Sequence, residues 1–373
     1  MNCTAEEGQW WWWWQSLSAR FWHPDFWLPL GLTWDDLRST EDFQYPEFAD
    51  VLVYPIALSA VYIFLRAFIL EPIFIAPLAQ VVGIKQRQPP PENKTLEEVF
   101  RRFRIAPSKD VLEATSSSLN MSERQVERWL RRRHASFRLS KYDKFMDCAY
   151  DLVCHSCFCL YGISIMKVKP WLWNITLCWA NYPHHNIDND IWWYYMLCLA
   201  YFWSTTFMHL PRPGRKLNDT VPMVLHHLFT ILLMMFSWTC NFVRVGSLVL
   251  VVHECADIPL LAAKMCKHAG VESGTDILFL VFLALWVLTR CVIYPFWIMH
   301  SAFFEATTYM FMPSAYIFLG LLTGLLALNL LWTGLILGII YRKVRAGRLE
   351  DLRSSGEEYS EVEIEMRNGK KIH

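Results

Sequence analysis

Residues 221–264 constrain this chain more than any other stretch. They read VPMVLHHLFTILLMMFSWTCNFVRVGSLVLVVHECADIPLLAAK, apolar enough to cross a membrane twice, with a hairpin near Asn241. Yet the stretch carries His226, His227, His253, Glu254 and Asp257. Ionisable groups inside transmembrane segments are costly, and by default they mark a functional site. Helical geometry gathers them. His253 and Asp257 are four residues apart and share a helix face. At about 1.5 Å per residue, His226 lies about 8 Å into the first helix from Val221, and Asp257 about 9 Å from the end of the second at Ala263. An antiparallel pair therefore sets the two groups at similar depth on one side of the membrane. His226 and His227 point about 100° apart, so one of the two is expected to face Asp257.

The rest of the chain repeats the membrane signal. Of 373 residues, 54% are hydrophobic and 19 are Trp, more than a soluble domain usually shows. The expected fold is all-α and polytopic. About seven spans fall at 51–70, 145–166, 191–209, the two helices of 221–264, 275–299 and 315–340, each long enough for a hydrocarbon layer of about 30 Å. The N-terminus lacks the basic region and aliphatic core of a cleavable signal peptide, so targeting would rest on the spans themselves. Its aromatic residues, Trp10 to Trp14, Phe21, Trp22, Phe26, Trp27 and Trp34, suit a membrane interface. Asn2-Cys3-Thr4 is a glycosylation sequon. Arg66 is expected to snorkel from the end of the first span. The 11 Cys lie scattered in apolar segments, and Cys154, Cys157 and Cys159 read as buried thiols rather than metal ligands. His184 and His185 sit in a polar loop and read as solvated. No bound metal is expected.

Net charge is zero, so the overall balance names no partner. The placement of Lys and Arg is informative. Basic residues cluster after the first, third, fifth and seventh spans: in 85–144, at Arg212, Arg215 and Lys216, at Lys264 and Lys267, and at Arg342, Lys343, Arg345 and Arg348. The positive-inside rule then gives a lumenal N-terminus and a cytosolic C-terminus, with the His/Asp cluster in the cytosolic half of the membrane. The organisation read from this is a lumenal aromatic segment (1–50), a first span (51–70), a cytosolic linker and helical module (71–144), a membrane domain (145–341) and a basic, then acidic, cytosolic tail (342–373). In the module, Ser122 reads as the N-cap of a helix.

The signature His226-His227, Ser237-Trp238, Asn241, Arg244, Gly246-Ser247-Leu248, His253-Glu254, Asp257 and Ala263-Lys264 resembles that of the ceramide synthases, within the TLC-domain family of membrane proteins. The likeness extends over nearly the whole chain, including FWLP…TWDDL in residues 26–37. Two positions depart from the family pattern: Glu254 stands where Asp is usual, and Leu261 where Glu is usual. Residues 120–130 are similar to the last helix of a homeodomain, a partial copy of which many ceramide synthases carry. A homeodomain reads adenine with an invariant Asn in that helix, and here Arg132 occupies the matching place. With no basic arm and a membrane tether, nucleic acid is not an expected partner; Arg131, Arg132 and Arg133 suit anionic lipid headgroups.

The resemblance implies a sphingosine N-acyltransferase of the endoplasmic reticulum membrane. Its acyl-CoA co-substrate and a sphingoid base would give a (dihydro)ceramide, with no cofactor bound. It also implies homo- or hetero-dimers with related synthases and a tail phosphorylated near Ser354 and Ser355. The residues suit that chemistry. A neutral imidazole can take a proton from an amine or attack a thioester, and a partner carboxylate can fix its tautomer. His226 or His227 is the candidate base or transient acyl acceptor, Asp257 the orienter, and His253 with Glu254 completes the polar set. Arg212, Arg215 and Lys216 would meet the phosphates of coenzyme A. Loop 300–314, with Phe303, Phe304, Tyr309 and Phe311, would cap the acyl tunnel. The competing readings are a non-enzymatic TLC-type lipid binder or sensor, for which the two departures speak, and a membrane-bound transcription regulator.

Overall fold

The structure is a computed structural model, and it describes residues 12, 13, 15–41, 43–209 and 217–346. Among these residues every regular element is helical. Seven long helices form the frame: α1 (Phe48–Val81), and, beyond three short helices α2 (Lys94–Phe103), α3 (Lys109–Leu119) and α4 (Glu123–Ala135), the six helices α5 (Lys141–Met166), α6 (Asn189–His209), α7 (Leu217–Thr239), α8 (Val243–Ala269), α9 (Glu272–Tyr309) and α10 (Ala315–Ala346).

Six of the seven, all but α6, are long and apolar enough to cross a membrane, where sequence reading expects about seven spans. The difference lies in composition. The 21 residues of α6 would span about 31 Å, but Trp192, Trp193, Tyr194, Tyr195, Tyr201 and Trp203 lower its hydropathy. Protein covers its middle: Tyr194, Tyr195, Met196, Cys198, Leu199 and Ala200 are all 0% exposed. Two of its phenols find protein partners, Tyr195 with Ser237 Oγ at 2.8 Å and Tyr201 with Asp151 at 3.0 Å, as buried tyrosines usually do.

The long helices close a ring. In order around it, α1 packs on α6, α6 on α7, α7 on α10, α10 on α9, α9 on α8, α8 on α5, and α5 returns to α1. Local sequence sets several ends. Ser140 caps α5 in a capping box with Asp143. Ser122 caps α4 in the same way with Gln125, as the sequence suggests. Gly270, with φ +80°, closes α8 in the left-handed conformation glycine adopts without steric cost.

Helix α1 runs 34 residues, well past the expected end at residue 70, and its stretch Arg66–Ile75 winds with π pitch around Pro72. Arg66 does not snorkel. It is 3% exposed, pairs with Glu71 at 2.6 Å and Asp147 of α5 at 2.5 Å, and lies over the Tyr150 ring. A guanidinium paired with two carboxylates has its charge balanced within the protein.

Helices α2, α3 and α4 bury Leu96, Phe100, Leu112, Val126, Trp129 and Leu130 in a small core of their own. Arg133 bonds both carboxylate oxygens of Glu97 at 2.8 Å. The described N-terminal residues fold onto the bundle. Trp27 is 0% exposed against Phe236 of α7, whereas Trp12 and Trp13 are exposed as an interfacial belt would be.

Candidate active site

The signature residues divide into two groups by what they touch. One group builds the hairpin. Asn241, with φ +57°, turns the chain between α7 and α8, and its Nδ2 donates to the carbonyls of Pro183 and His185. Trp238 Nε1 donates to the Glu47 carbonyl, and Arg244 to that of Leu177. Gly246 leaves room for the Tyr195 hydroxyl, which would lie 1.7 Å from a Cβ at that position. His185, expected to be solvated, is 2% exposed and bonds the Ala180 carbonyl through Nε2, while its neighbour His184 meets Tyr45 near the surface.

The other group lines a cavity of about 430 Å³ enclosed by α5 to α10. His226, His227, His253, Glu254 and Asp257 all face it. One end of the cavity is reached by Lys264 and Lys267. It continues past Leu233, Phe318 and Leu322 to Ala302, Ala306, Thr307, Met310 and Met312 at the other end. The polar residues thus sit in a long, mainly apolar channel.

The expected pairing between α7 and α8 is not what forms. The two helices meet at the hairpin and then separate, α7 leaning on α6 and α10, α8 on α5 and α9. Asp257 pairs with Arg290 of α9 at 3.0 Å. Arg290 also donates to the His253 carbonyl at 2.6 Å and to Asn329 Oδ1 of α10 at 3.3 Å. His253 Nδ1 meets the Val249 carbonyl at 2.8 Å and so carries its proton there, leaving Nε2 toward Asn329 Nδ2 at 3.5 Å. Asp257 therefore orients an arginine, and His253 is held by backbone. His226 packs edge-on to Trp332 with its Nδ1 buried and without a partner, and His227 Nδ1 lies 2.9 Å from Thr206 Oγ1. Thr206 gives its own hydrogen to the Phe202 carbonyl, so Nδ1–H of His227 is the donor in that contact and Nε2 is left as acceptor.

Glu254 is 3% exposed and bonds His155 Nδ1 of α5 at 2.5 Å. His155 Nε2 lies 3.2 Å from the Tyr201 hydroxyl, which donates to Asp151 at 3.0 Å. Sequence reading missed His155, Asp151, Tyr201, Arg290 and Asn329. The signal was present: Asp147, Asp151 and His155 recur every four residues, one face of an expected span, and Arg290 lies inside another. Of the cysteines expected to be buried thiols on this helix, Cys154 and Cys159 are buried and Cys157 is exposed. Arg212, Arg215 and Lys216, and the tail serines Ser354 and Ser355, lie outside the described residues.

Residues 144–338 match the family model of the TLC domain. The chain is 34% identical to ceramide synthase 5 of Homo sapiens over 351 residues, 92% of this chain and 88% of that one. The chain belongs to the ceramide synthase family. Ceramide synthase 3 of Homo sapiens is 33% identical over 91% of this chain and 88% of its own length, and ceramide synthase 4 of Mus musculus 30% identical over 92% and 87%. Membership makes the chain an acyltransferase, and its six apolar helices make it a multi-pass membrane protein. The cavity residues are then the candidate machinery of acyl transfer.

Proposed function

We propose that this chain transfers a fatty acyl group from acyl-CoA to the amine of a sphingoid base, such as sphinganine or sphingosine, to form a (dihydro)ceramide in the endoplasmic reticulum membrane. The observation that carries the reading is that five ionisable residues of the family signature converge on one apolar cavity in a chain 34% identical to a ceramide synthase. The positive-inside rule supports an N-terminus in the lumen and the Lys264 end of the cavity at the cytosol. Coenzyme A is cytosolic and charged, so its acyl chain alone would enter the channel. Lys264 and Lys267, with Arg212, Arg215 and Lys216 just ahead of α7 in sequence, would meet its phosphates.

In this reading His226 and His227 are the reacting imidazoles. Nδ1 of His226 is buried without a protein partner, and His227 is held through Nδ1–H by Thr206. Either imidazole can take a proton from the attacking amine or accept the acyl group. Arg290, with its Nε unpaired toward the cavity, offers charge to the oxygen that becomes negative in the transition state. The apolar lining excludes water, which would hydrolyse the activated acyl group. Purified protein given acyl-CoA and sphinganine should form dihydroceramide and free coenzyme A in equal amounts. Absence of amide product with every acyl length offered would sink the reading.

A further inference from the structure

The α5 wall of the cavity has a chemistry of its own, and it involves none of the imidazoles assigned to acyl transfer. Asp151, His155, Tyr201 and Glu254 form one continuous chain across α5, α6 and α8. Its hydrogens can be placed. Tyr201 has a single hydroxyl hydrogen and gives it to Asp151. The 3.2 Å contact to His155 Nε2 must then be donated by the imidazole. Nδ1 faces the Glu254 carboxylate and is also a donor. Both ring nitrogens donate, so the set holds one imidazolium between two carboxylates. Passing the proton along to Asp151 moves charge within the set but leaves its total at one negative. An uncompensated negative charge beside an apolar cavity calls for a cation.

The opposite wall is balanced in charge and offers an unpaired donor. Arg290 is 3% exposed, pairs with Asp257 and leaves its Nε–H without a partner. Both face the same cavity. A buried donor left unpaired seeks an acceptor such as a carbonyl oxygen. One wall therefore suits a cation and the other an acyl carbonyl, with the channel between them.

We infer that Asp151 and Glu254, held by His155 and Tyr201, form the subsite for the substrate's ammonium group. This rests on the proposed acyl transfer and assigns one wall to each substrate. A long-chain amine is an ammonium ion at neutral pH and cannot attack until it loses a proton. The ammonium donates to the two carboxylates, and one N–H proton passes to the Asp151 carboxylate: R–NH3⁺ and –COO⁻ become R–NH2 and –COOH. The nitrogen lone pair freed by that transfer is directed across the channel to the carbonyl carbon. Asp151 lies one helical turn from Asp147 and the Lys264 end, where the proton returns to water. Tyr201 and His155 are positioning residues, since they act through the carboxylates.

The test uses two readouts on the full-length protein. In steady state, Asp151→Asn and Glu254→Gln should each raise KM for sphinganine about tenfold or more and leave KM for acyl-CoA within about twofold. Equal rises in both would overturn the assignment, because a general loss of structure moves both. Separately, thermal shift in detergent should show octadecylamine stabilising the protein more than octadecanol, and the preference should vanish in Asp151→Asn. Equal stabilisation of the unaltered protein by amine and alcohol would also overturn it. An amine preference in a protein that forms no ceramide would support the subsite and reject only the proposed reaction. If Asp151→Asn does not fold, Tyr201→Phe keeps the shape and removes the hydrogen bond to Asp151. It should weaken the amine preference part-way, and an unchanged preference would count against the inference.

Discussion

His226 and His227 are adjacent in sequence but held differently, and both face the cavity. His227 is fixed by Thr206, whereas Nδ1 of His226 has no protein partner. His226→Ala and His227→Ala should each lower amide formation about 10²–10⁴-fold, the range of a lost general base, with the protein still in the membrane. Near-normal turnover in both variants would reject the assignment. Asp257→Asn should also be severe, though through Arg290 rather than a histidine. Removing one partner of a buried pair leaves the other charge uncompensated, at roughly 3–5 kcal/mol, so this variant should lose thermal stability together with activity. Glu254→Asp restores the usual family residue, and from sequence it should be neutral or activating. With Glu254 2.5 Å from His155, shortening the side chain withdraws its carboxylate, and the expected outcome becomes reduced turnover. A double change with His155 should then be less than additive. The five cavity residues were legible in the sequence because ionisable groups stand out in an apolar run. Their partners were not, since Arg290, His155 and Asn329 come from helices distant in sequence.

The hairpin between α7 and α8 shows how one element can carry a signature without carrying chemistry. Asn241, Trp238, Arg244 and Gly246 bind the hairpin to the loop before α6 and to the start of α1. Gly246→Ala should be among the most damaging single-methyl changes in the chain, because the added carbon collides with the Tyr195 hydroxyl that bonds Ser237. The measurement is the unfolding midpoint, and Tyr195→Phe in the same chain should recover part of the loss. The loop itself should sense pH. His185 donates Nε2–H to the Ala180 carbonyl, and its Nδ1 is buried without a partner. Burial pushes its pKa down from 6.5 to about 4. Between those values the unfolded chain holds a proton that the folded loop does not, so stability rises with pH across the window and falls as pH drops through it. The unfolding midpoint should therefore decline from pH 7 to pH 5 more steeply in the unaltered protein than in His185→Gln. Parallel slopes would remove His185 from the account. Sequence reading placed this histidine in water because its neighbours are polar. It could not see that Asn241 folds that loop back onto the bundle.

At the scale of the whole molecule, the ring of helices makes one channel, and the channel's far end should decide acyl-chain length. The polar groups lie between the Lys264 end and the apolar reach toward Met312, so an acyl chain bound with its thioester among them must point at Met312. Sequence reading assigned that end to a loop at 300–314 capped by Phe303, Phe304, Tyr309 and Phe311. The structure continues α9 through Tyr309 and turns those four side chains outward, with Phe304 and Phe311 65% and 64% exposed. Helical phase is the reason: residues 302 and 306 share the inward face, and 303 and 304 fall off it. The channel is closed instead by Ala302, Ala306, Thr307, Met310 and Met312. The outward aromatic residues suit the membrane interface. Ala306→Leu fills the end of the channel and should shift products toward shorter acyl chains, and Met312→Ala should admit longer ones. Each methylene is worth only about 1–3 kcal/mol, so the shift should be a displaced window of lengths rather than a switch to one. Phe304→Ala and Phe311→Ala should leave the distribution unchanged. The assay offers each variant an equimolar mixture of acyl-CoAs from medium to very long and reads the ceramides formed by mass spectrometry. If the outward aromatic substitutions move the distribution and the inward ones do not, this end of the channel is not what measures the chain.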